Sequence, residues 1–149
     1  MLKITKLDMV GEEEQIFKKI DLMEMLQICG NIKCGSAVII SDPSHSGILR
    51  CGVGVAAEAD GAGLDLLKKR GVPALTCGFS PTCSVTISGK SENDTVICFQ
   101  REVRMNDDIL IEAGERVLPA EFGRDDLSLM FFAAVGALIF GESFFDSFV

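Results

Sequence analysis

Residues 118–142 read LPAEFGRDDLSLMFFAAVGALIFGE, and almost every side chain over residues 127–140 is apolar. That run is shorter than the roughly 20 residues that a membrane-spanning helix needs, and it matches a core helix covered on most of its circumference. Asp125 and Asp126 bring N-capping side chains and negative charge to its start, and Gly141 follows where a left-handed C-cap belongs. The stretch therefore predicts a buried helix around which the rest of the chain packs.

The composition is that of one globular domain. The chain has 149 residues, of which 48% are hydrophobic and 24% charged, which is enough to form a core without disulfides or metal ions. A net charge of −8 repels phosphate backbones and anionic lipid headgroups, so we expect neither nucleic acid nor a membrane as a partner. The first residues carry no continuous apolar segment of the signal-peptide kind. We expect a single domain over residues 1–149 in the cytoplasm.

The cysteines indicate free thiols rather than a metal site. Six are present, at positions 29, 34, 51, 77, 83 and 98. Zinc ligands usually come in pairs two to four residues apart, and the closest pairs here, Cys29/Cys34 and Cys77/Cys83, are at or beyond the upper end of that spacing. We predict six reduced thiols and no bound metal.

The first half of the chain shows alternating helix and strand patterns. Apolar residues at 16, 20, 23 and 26 form a helical stripe over residues 12–29, with Gly30 ending it. Residues 36–41 form a short apolar run that is typical of a strand buried on both faces, as in a parallel sheet. A second helix ends before Gly71, and residues 73–77 predict another buried strand.

The second half predicts antiparallel strands. Residues 83–88 and 95–100 have strand composition and flank a turn signal, so they predict a hairpin. Residues 109–111 and 116–118 predict short strands before the final helix. Together these elements indicate an α/β domain whose mixed sheet is parallel at one end and antiparallel at the other, with helices covering it.

Three stretches resemble, in sequence order, the C-terminal half of the central domain of the Mur ligases, the ATP-dependent amide-bond-forming enzymes of bacterial cell-wall synthesis. They are SAVIISDP from residue 36, ALTCGFSPTCSVTIS from residue 74, and the closing stretch from residue 118. The family's corresponding patterns are a strand ending N-x-D-D-P, the pattern v-i-t-f-G-x-s-x-x-A-d-v, and L-P-x-x-G-x-H-N-x-x-N-x-x-A-A running into a helix. The resemblance implies a Mur-ligase-like scaffold.

The residues that carry this family's chemistry are mostly replaced. Nothing before Gly30 resembles its G-T-N-G-K-T phosphate loop, so we expect no nucleotide cofactor. The family's His-Asn pair falls on Asp125 and Asp126, and its later Asn falls on Leu129. The Asn expected beside the adenine falls on Ile39. The resemblance therefore implies a scaffold without the catalytic parts.

Two glycine patterns have alternative interpretations. Residues 89–91, Gly-Lys-Ser, match the end of a phosphate loop, but the surrounding strand, turn and strand favour a hairpin turn. Gly52, Gly54 and Ala57 fit the permissive dinucleotide fingerprint, and we interpret them instead as a flexible or close-packed turn.

The candidate ligand-binding residues are Asp42, Ser44 and His45, which follow the end of a predicted parallel strand. Ligands in open α/β sheets bind at such edges. His45 is the only histidine, so proton transfer through an imidazole near neutral pH requires it. Asp-Pro-Ser is also ordinary turn chemistry, which gives the loop a purely structural interpretation.

The C-terminal phenylalanines Phe144, Phe145 and Phe148 are predicted to be an exposed interface, because the closing helix already presents more apolar surface than one sheet face covers. We therefore predict a homodimer or a protein partner there. The first interpretation of the whole chain is a non-catalytic Mur-ligase-like binding or assembly module. The alternatives are half of a split ATP-dependent amide ligase, and a small hydrolase or transferase that uses Asp42 and His45.

Overall fold

The computed structural model describes residues 4–10, 14–19, 37–41, 53–69, 71, 73–105, 108–119, 125–140 and 142–146. The strands there are β1 (Ile4–Val10), β2 (Glu14–Lys19), β3 (Ala37–Ser41), β4 (Val53–Ala57), β5 (Ala74–Cys77), β6 (Val85–Lys90), β7 (Asp94–Phe99), β8 (Val103–Met105), β9 (Asp108–Ile111) and β10 (Gly114–Pro119). The helices there are α1 (Gly61–Lys69), α2 (Asp126–Phe140) and α3 (Ser143–Asp146).

Eight of these strands form one mixed sheet in the order β10-β7-β6-β5-β4-β3-β1-β2, and β8 pairs with β9 separately. The pairs β4–β5 and β5–β6 are parallel, and the other pairs of the large sheet are antiparallel. The predicted α/β class with a mixed sheet is confirmed. The parallel pairs, however, lie at the centre of the sheet with antiparallel strands on both sides, and not at one end.

The helix predicted over residues 12–29 is wrong where the structure describes it. Residues 14–19 form β2, which pairs antiparallel with β1 so that Leu7 lies opposite Ile16. Ile16, the first apolar residue of the predicted helical stripe, lies in β2. The backbone pairing of β2 with β1 outweighs the local helical spacing. Residues 20–29 lie outside the described part.

Strand β3 confirms the strand predicted over residues 36–41 but not its direction. It runs antiparallel to both of its neighbours, β1 and β4. An unbroken apolar run indicates burial on both faces and carries no information about the direction of the neighbouring strands. The parallel assignment was therefore wrong for this strand.

Helix α1 lies between β4 and β5 and has both of its ends capped. The Asp60 side chain accepts a hydrogen bond from the Gly63 amide at 3.0 Å, which satisfies a free donor of the first turn. At the other end, Gly71 has a φ of 67°, in the left-handed region that favours glycine. The C-cap predicted at this glycine is confirmed.

Helix α2 confirms the buried helix predicted from the closing stretch. Every residue from 128 to 138 is buried, and the helix contacts β3, β4, β5 and β6. The Asp125 side chain accepts a hydrogen bond from the Ser128 amide at 2.8 Å, which confirms the predicted N-cap; Gly141 lies outside the described part.

Val55 belongs to the core under α2, whereas its neighbour Gly54 lies against Leu67 of α1. Because successive strand residues point to opposite faces, the two helices cover opposite faces of the sheet. Within the described residues, no helix is both long and apolar enough to cross a membrane.

Two of the three C-terminal phenylalanines, Phe144 and Phe145, are core residues, so their predicted exposure is wrong, while the homodimer or protein partner stays a prediction. Phe144 is 1% exposed and Phe145 is 6% exposed; Phe148 lies outside the described part. The Phe144 ring packs edge-on against Phe132, with ring centroids 5.2 Å apart. It lies over Gly136, where a Cβ atom would come within 2.4 Å of it. The missing side chain at Gly136 creates a notch that the ring fills.

Candidate functional site

The carboxyl ends of the parallel strands β4 and β5 place two polar segments together. Glu58 follows the last residue of β4, and residues 78–84, here called the β5–β6 loop, follow β5. Ligands of open α/β sheets bind beyond the carboxyl ends of parallel strands. We therefore take Glu58 and the β5–β6 loop as the candidate site.

The Glu58 carboxylate holds the β5–β6 loop. The Cys83 thiol donates a hydrogen bond to Glu58 Oε2 at 3.2 Å. This bond, followed by hydrogen bonds from Ser80 and Thr82, lowers the pKa of Glu58 below its ordinary value. The side chain is exposed. The site thus presents an ionised carboxylate in a fixed position.

Hydrogen bonds within and beyond the β5–β6 loop hold its backbone. The Cys83 amide donates to the Ser80 carbonyl at 3.0 Å, and the Ser80 and Thr82 hydroxyls lie 2.9 Å apart. From outside the loop, Gln100 Nε2 donates to the carbonyls of Ser80 at 3.0 Å and Cys83 at 2.9 Å. Arg101 Nη2 donates to the Thr82 carbonyl at 2.8 Å. These contacts hold the loop in one conformation.

The large apolar side chain that this loop presents to solvent is Phe79. It is 64% exposed, whereas the phenylalanines of the core are buried. The preceding residue, Gly78, has no room for a larger side chain, because its Cβ would lie 2.9 Å from Glu58 Oε2 and 3.0 Å from Cys83 Sγ. The glycine lets the loop backbone pass close to the carboxylate. The Phe79 backbone is therefore one residue from the point where the loop contacts Glu58.

The pKa shifts of Glu58 and Cys83 disfavour a general-base role for the carboxylate and a nucleophilic role for the thiol. Burial, the hydrogen bond to Glu58 and the charge of that carboxylate all raise the pKa of the Cys83 thiol. A thiol is nucleophilic as its thiolate, so Cys83 is held in its unreactive form. The lowered pKa of Glu58 moves it away from the neutral range that suits a general base. Among the described residues, no group of three His, Cys, Asp or Glu side chains converges to hold a metal ion.

Asp42, Ser44 and His45 lie outside the described residues, and their role in binding stays a prediction. They follow β3, whose carboxyl end lies beside the start of β4, since Ile40 pairs with Val53. Glu58 lies beyond the other end of β4. The carboxyl end of β3 therefore lies on the side of the sheet opposite the β5–β6 loop.

The two glycine patterns belong to the sheet. Lys90 ends β6, and the Ser91 amide donates to the Asp94 carbonyl at 2.8 Å, which confirms the hairpin turn. Gly54 lies inside β4, where a Cβ would come within 2.4 Å of Leu67, so it is a close-packed strand residue and not part of a turn.

Sequence reasoning missed Glu58, Phe79 and Cys83 as site residues. The available signal was the segment Gly-Phe-Ser-Pro-Thr at residues 78–82, an aromatic residue among turn residues after a buried strand. Comparisons of the chain with protein families, curated proteins and solved structures find no match.

Proposed function

We propose that the protein is a non-catalytic binding module that docks a partner protein on the β5–β6 loop. The observation that carries the proposal is Phe79, which is 64% exposed on a loop that hydrogen bonds with Glu58, Gln100 and Arg101 hold in place. Phenylalanine is among the aromatic residues that are enriched in protein interfaces relative to the rest of the surface. An ordered loop loses little conformational entropy when a partner binds, so this arrangement favours association.

The same proposal includes the fold of the module, which we propose to be Mur-ligase-like. Its support is the set of sequence patterns around residues 36, 74 and 118, together with a sheet that passes from parallel to antiparallel pairing between β5 and β7. The lack of a phosphate-cradling loop before Gly30 favours binding over ligase chemistry.

Photocrosslinking tests the docking surface. The photoreactive residue p-benzoylphenylalanine replaces Phe79 in one variant and Val117 in another, and each is irradiated in the native cells. Val117 is the matched control because it is 49% exposed but lies on the edge strand β10. We expect a discrete crosslinked product from position 79 and none from position 117. Equal labelling at both positions, or none at position 79, contradicts the proposal.

Calorimetry with ATP and magnesium tests the non-catalytic part. A triphosphate needs a backbone cradle and a lysine to offset its charge, and the chain carries a net charge of −8. We expect no saturable heat. A micromolar dissociation constant for ATP would falsify the non-catalytic assignment.

A further inference from the structure

We infer that the partner segment docked on the β5–β6 loop carries a cationic side chain, arginine or lysine, next to an apolar one. The inference rests on the proposed function and adds the chemistry of the partner. Phe79 provides an exposed aromatic ring, and Glu58, which the loop contacts one residue earlier, provides a fixed negative charge.

An aromatic face and a carboxylate are complementary to the same kind of group. The ring attracts a cation through its quadrupole, and it also packs against apolar side chains. The Glu58 carboxylate is held by donors from Cys83, Ser80 and Thr82, all of which are uncharged. The carboxylate therefore keeps its negative charge. Because these hydrogen bonds already hold the side chain, it loses little conformational entropy when the partner binds.

The charges around the site favour a cation over an anion. Arg101, the basic residue bonded to the loop, already donates Nη2 to the Thr82 carbonyl. The Glu58 carboxylate is exposed and can be reached by a cation of a partner. Together with the net charge of −8 for the chain, this exposed carboxylate favours a basic partner over an acidic one. A negative field of this kind speeds encounter with basic partners.

Calorimetry with two synthetic peptides tests the inference on the full chain. One is a hexapeptide of alternating arginine and leucine, and the other replaces each arginine with citrulline, which keeps the shape and removes the charge. We expect the arginine peptide to bind at least about fivefold more tightly, with the difference shrinking as salt is raised. Phe79→Ala and Glu58→Gln should each weaken the arginine peptide by about fivefold.

Two variants control for general surface effects. Val117→Ala removes an exposed apolar side chain from β10, and Glu92→Gln removes an exposed carboxylate from the turn at the far end of β6. Both should bind like the unmodified protein. Glu58→Gln keeps an oxygen that accepts the Cys83 hydrogen bond, so its melting temperature reports whether the loop is intact.

The outcomes separate the two proposals. Equal affinity for the arginine and citrulline peptides, or equal losses in the site and control variants, overturns the cationic inference. If position 79 still crosslinks to a protein in that case, the binding module stands and only the partner chemistry is wrong. If position 79 crosslinks to nothing, the proposed function fails and the peptide preference has no docking role.

Discussion

Among single residues, Glu58 and Cys83 show how one hydrogen bond influences the protonation of two groups. The bond favours the ionised carboxylate and the protonated thiol together, so it moves the pKa of Glu58 down and that of Cys83 up. The pair lies 25 positions apart in sequence, and only the parallel pairing of β4 with β5 brings the residues together. The pKa shifts of Glu58 and Cys83 therefore depend on β4 and β5 running in the same direction.

The Cys83 thiol should become reactive at lower pH when Glu58 is replaced with glutamine. The substitution removes the carboxylate charge but leaves the burial of the thiol, which is the largest cause of its raised pKa. Iodoacetamide labelling across a pH series, with mass spectrometry of each cysteine peptide, measures the change. At pH values below the pKa of Cys83, each unit by which that pKa falls raises the fraction of thiolate about tenfold. Cys98, on β7, is the internal control, and an unchanged profile at Cys83 would contradict the coupling.

Among elements, α2 and α3 fit together through the Gly136 notch. A Cβ atom at position 136 would meet three atoms of the Phe144 ring at 2.4 to 2.5 Å, so the ring must move. Overpacking of this kind costs about 1–3 kcal/mol, against a gain of about 1 kcal/mol because alanine favours helix. Because the overpacking cost is as large as the helix-propensity gain or larger, alanine at position 136 should lower the stability of the fold.

Gly136→Ala should therefore lower the melting temperature. The matched control is Gly61→Ala at the start of α1, where a Cβ would have no atom within 4 Å; it should be neutral or slightly stabilising. Phe144→Ala should destabilise by about 3–5 kcal/mol, as expected for loss of a buried ring. A Gly136→Ala variant as stable as the Gly61→Ala variant would show that the ring relocates freely. A monomer that unfolds more easily without Phe144 also assigns this residue to the core and not to an interface.

The elements that could be predicted from sequence are those determined by local chemistry. Helix α2 has its cap at Asp125 and a nearly continuous apolar run, and the β6–β7 hairpin has a clear turn signal. The hairpin of β1 and β2 was missed because pairing between strands outweighs the helical spacing in residues 12–29. The site was missed because it depends on which strands run parallel, and apolar runs do not encode direction.

At the scale of the whole molecule, an ionic contact joins Glu142, just before α3, to the sheet. Arg116 on β10 donates Nε to Glu142 Oε2 at 2.9 Å, and the Glu112 amide donates to Glu142 Oε1 at 3.3 Å. The hydrogen bond from Arg116 is the largest cause that lowers the pKa of Glu142. The contact holds Glu142 just before α3, and so helps to keep Phe144 in its notch.

Glu142→Gln should lower the melting temperature at neutral pH but not in acid. Because the folded-state pKa of Glu142 is below its ordinary value, the stabilisation is complete above that ordinary value and is lost as pH falls through the folded-state pKa. Its size should be at most about 1 kcal/mol, because the Glu142 side chain is 47% exposed and well screened. Thermal melts from about pH 7 down to about pH 2 measure the difference. Asp146→Asn is the control, and a difference that persists in acid would exclude the ionic contact as its cause.

The order of strands across the sheet has a consequence for synthesis on the ribosome. From β2 through β1, β3, β4, β5, β6 and β7 to β10, the order follows the chain apart from the exchange of β1 and β2. Each strand after the first hairpin can therefore pair with a neighbour that has already emerged. Helix α2, which covers β3 to β6, comes after all of them. The growing sheet consequently has one apolar face without its cover until residues 126–140 leave the exit tunnel, and a nascent chain stalled before that point should bind hydrophobic chaperones more strongly than one stalled after it.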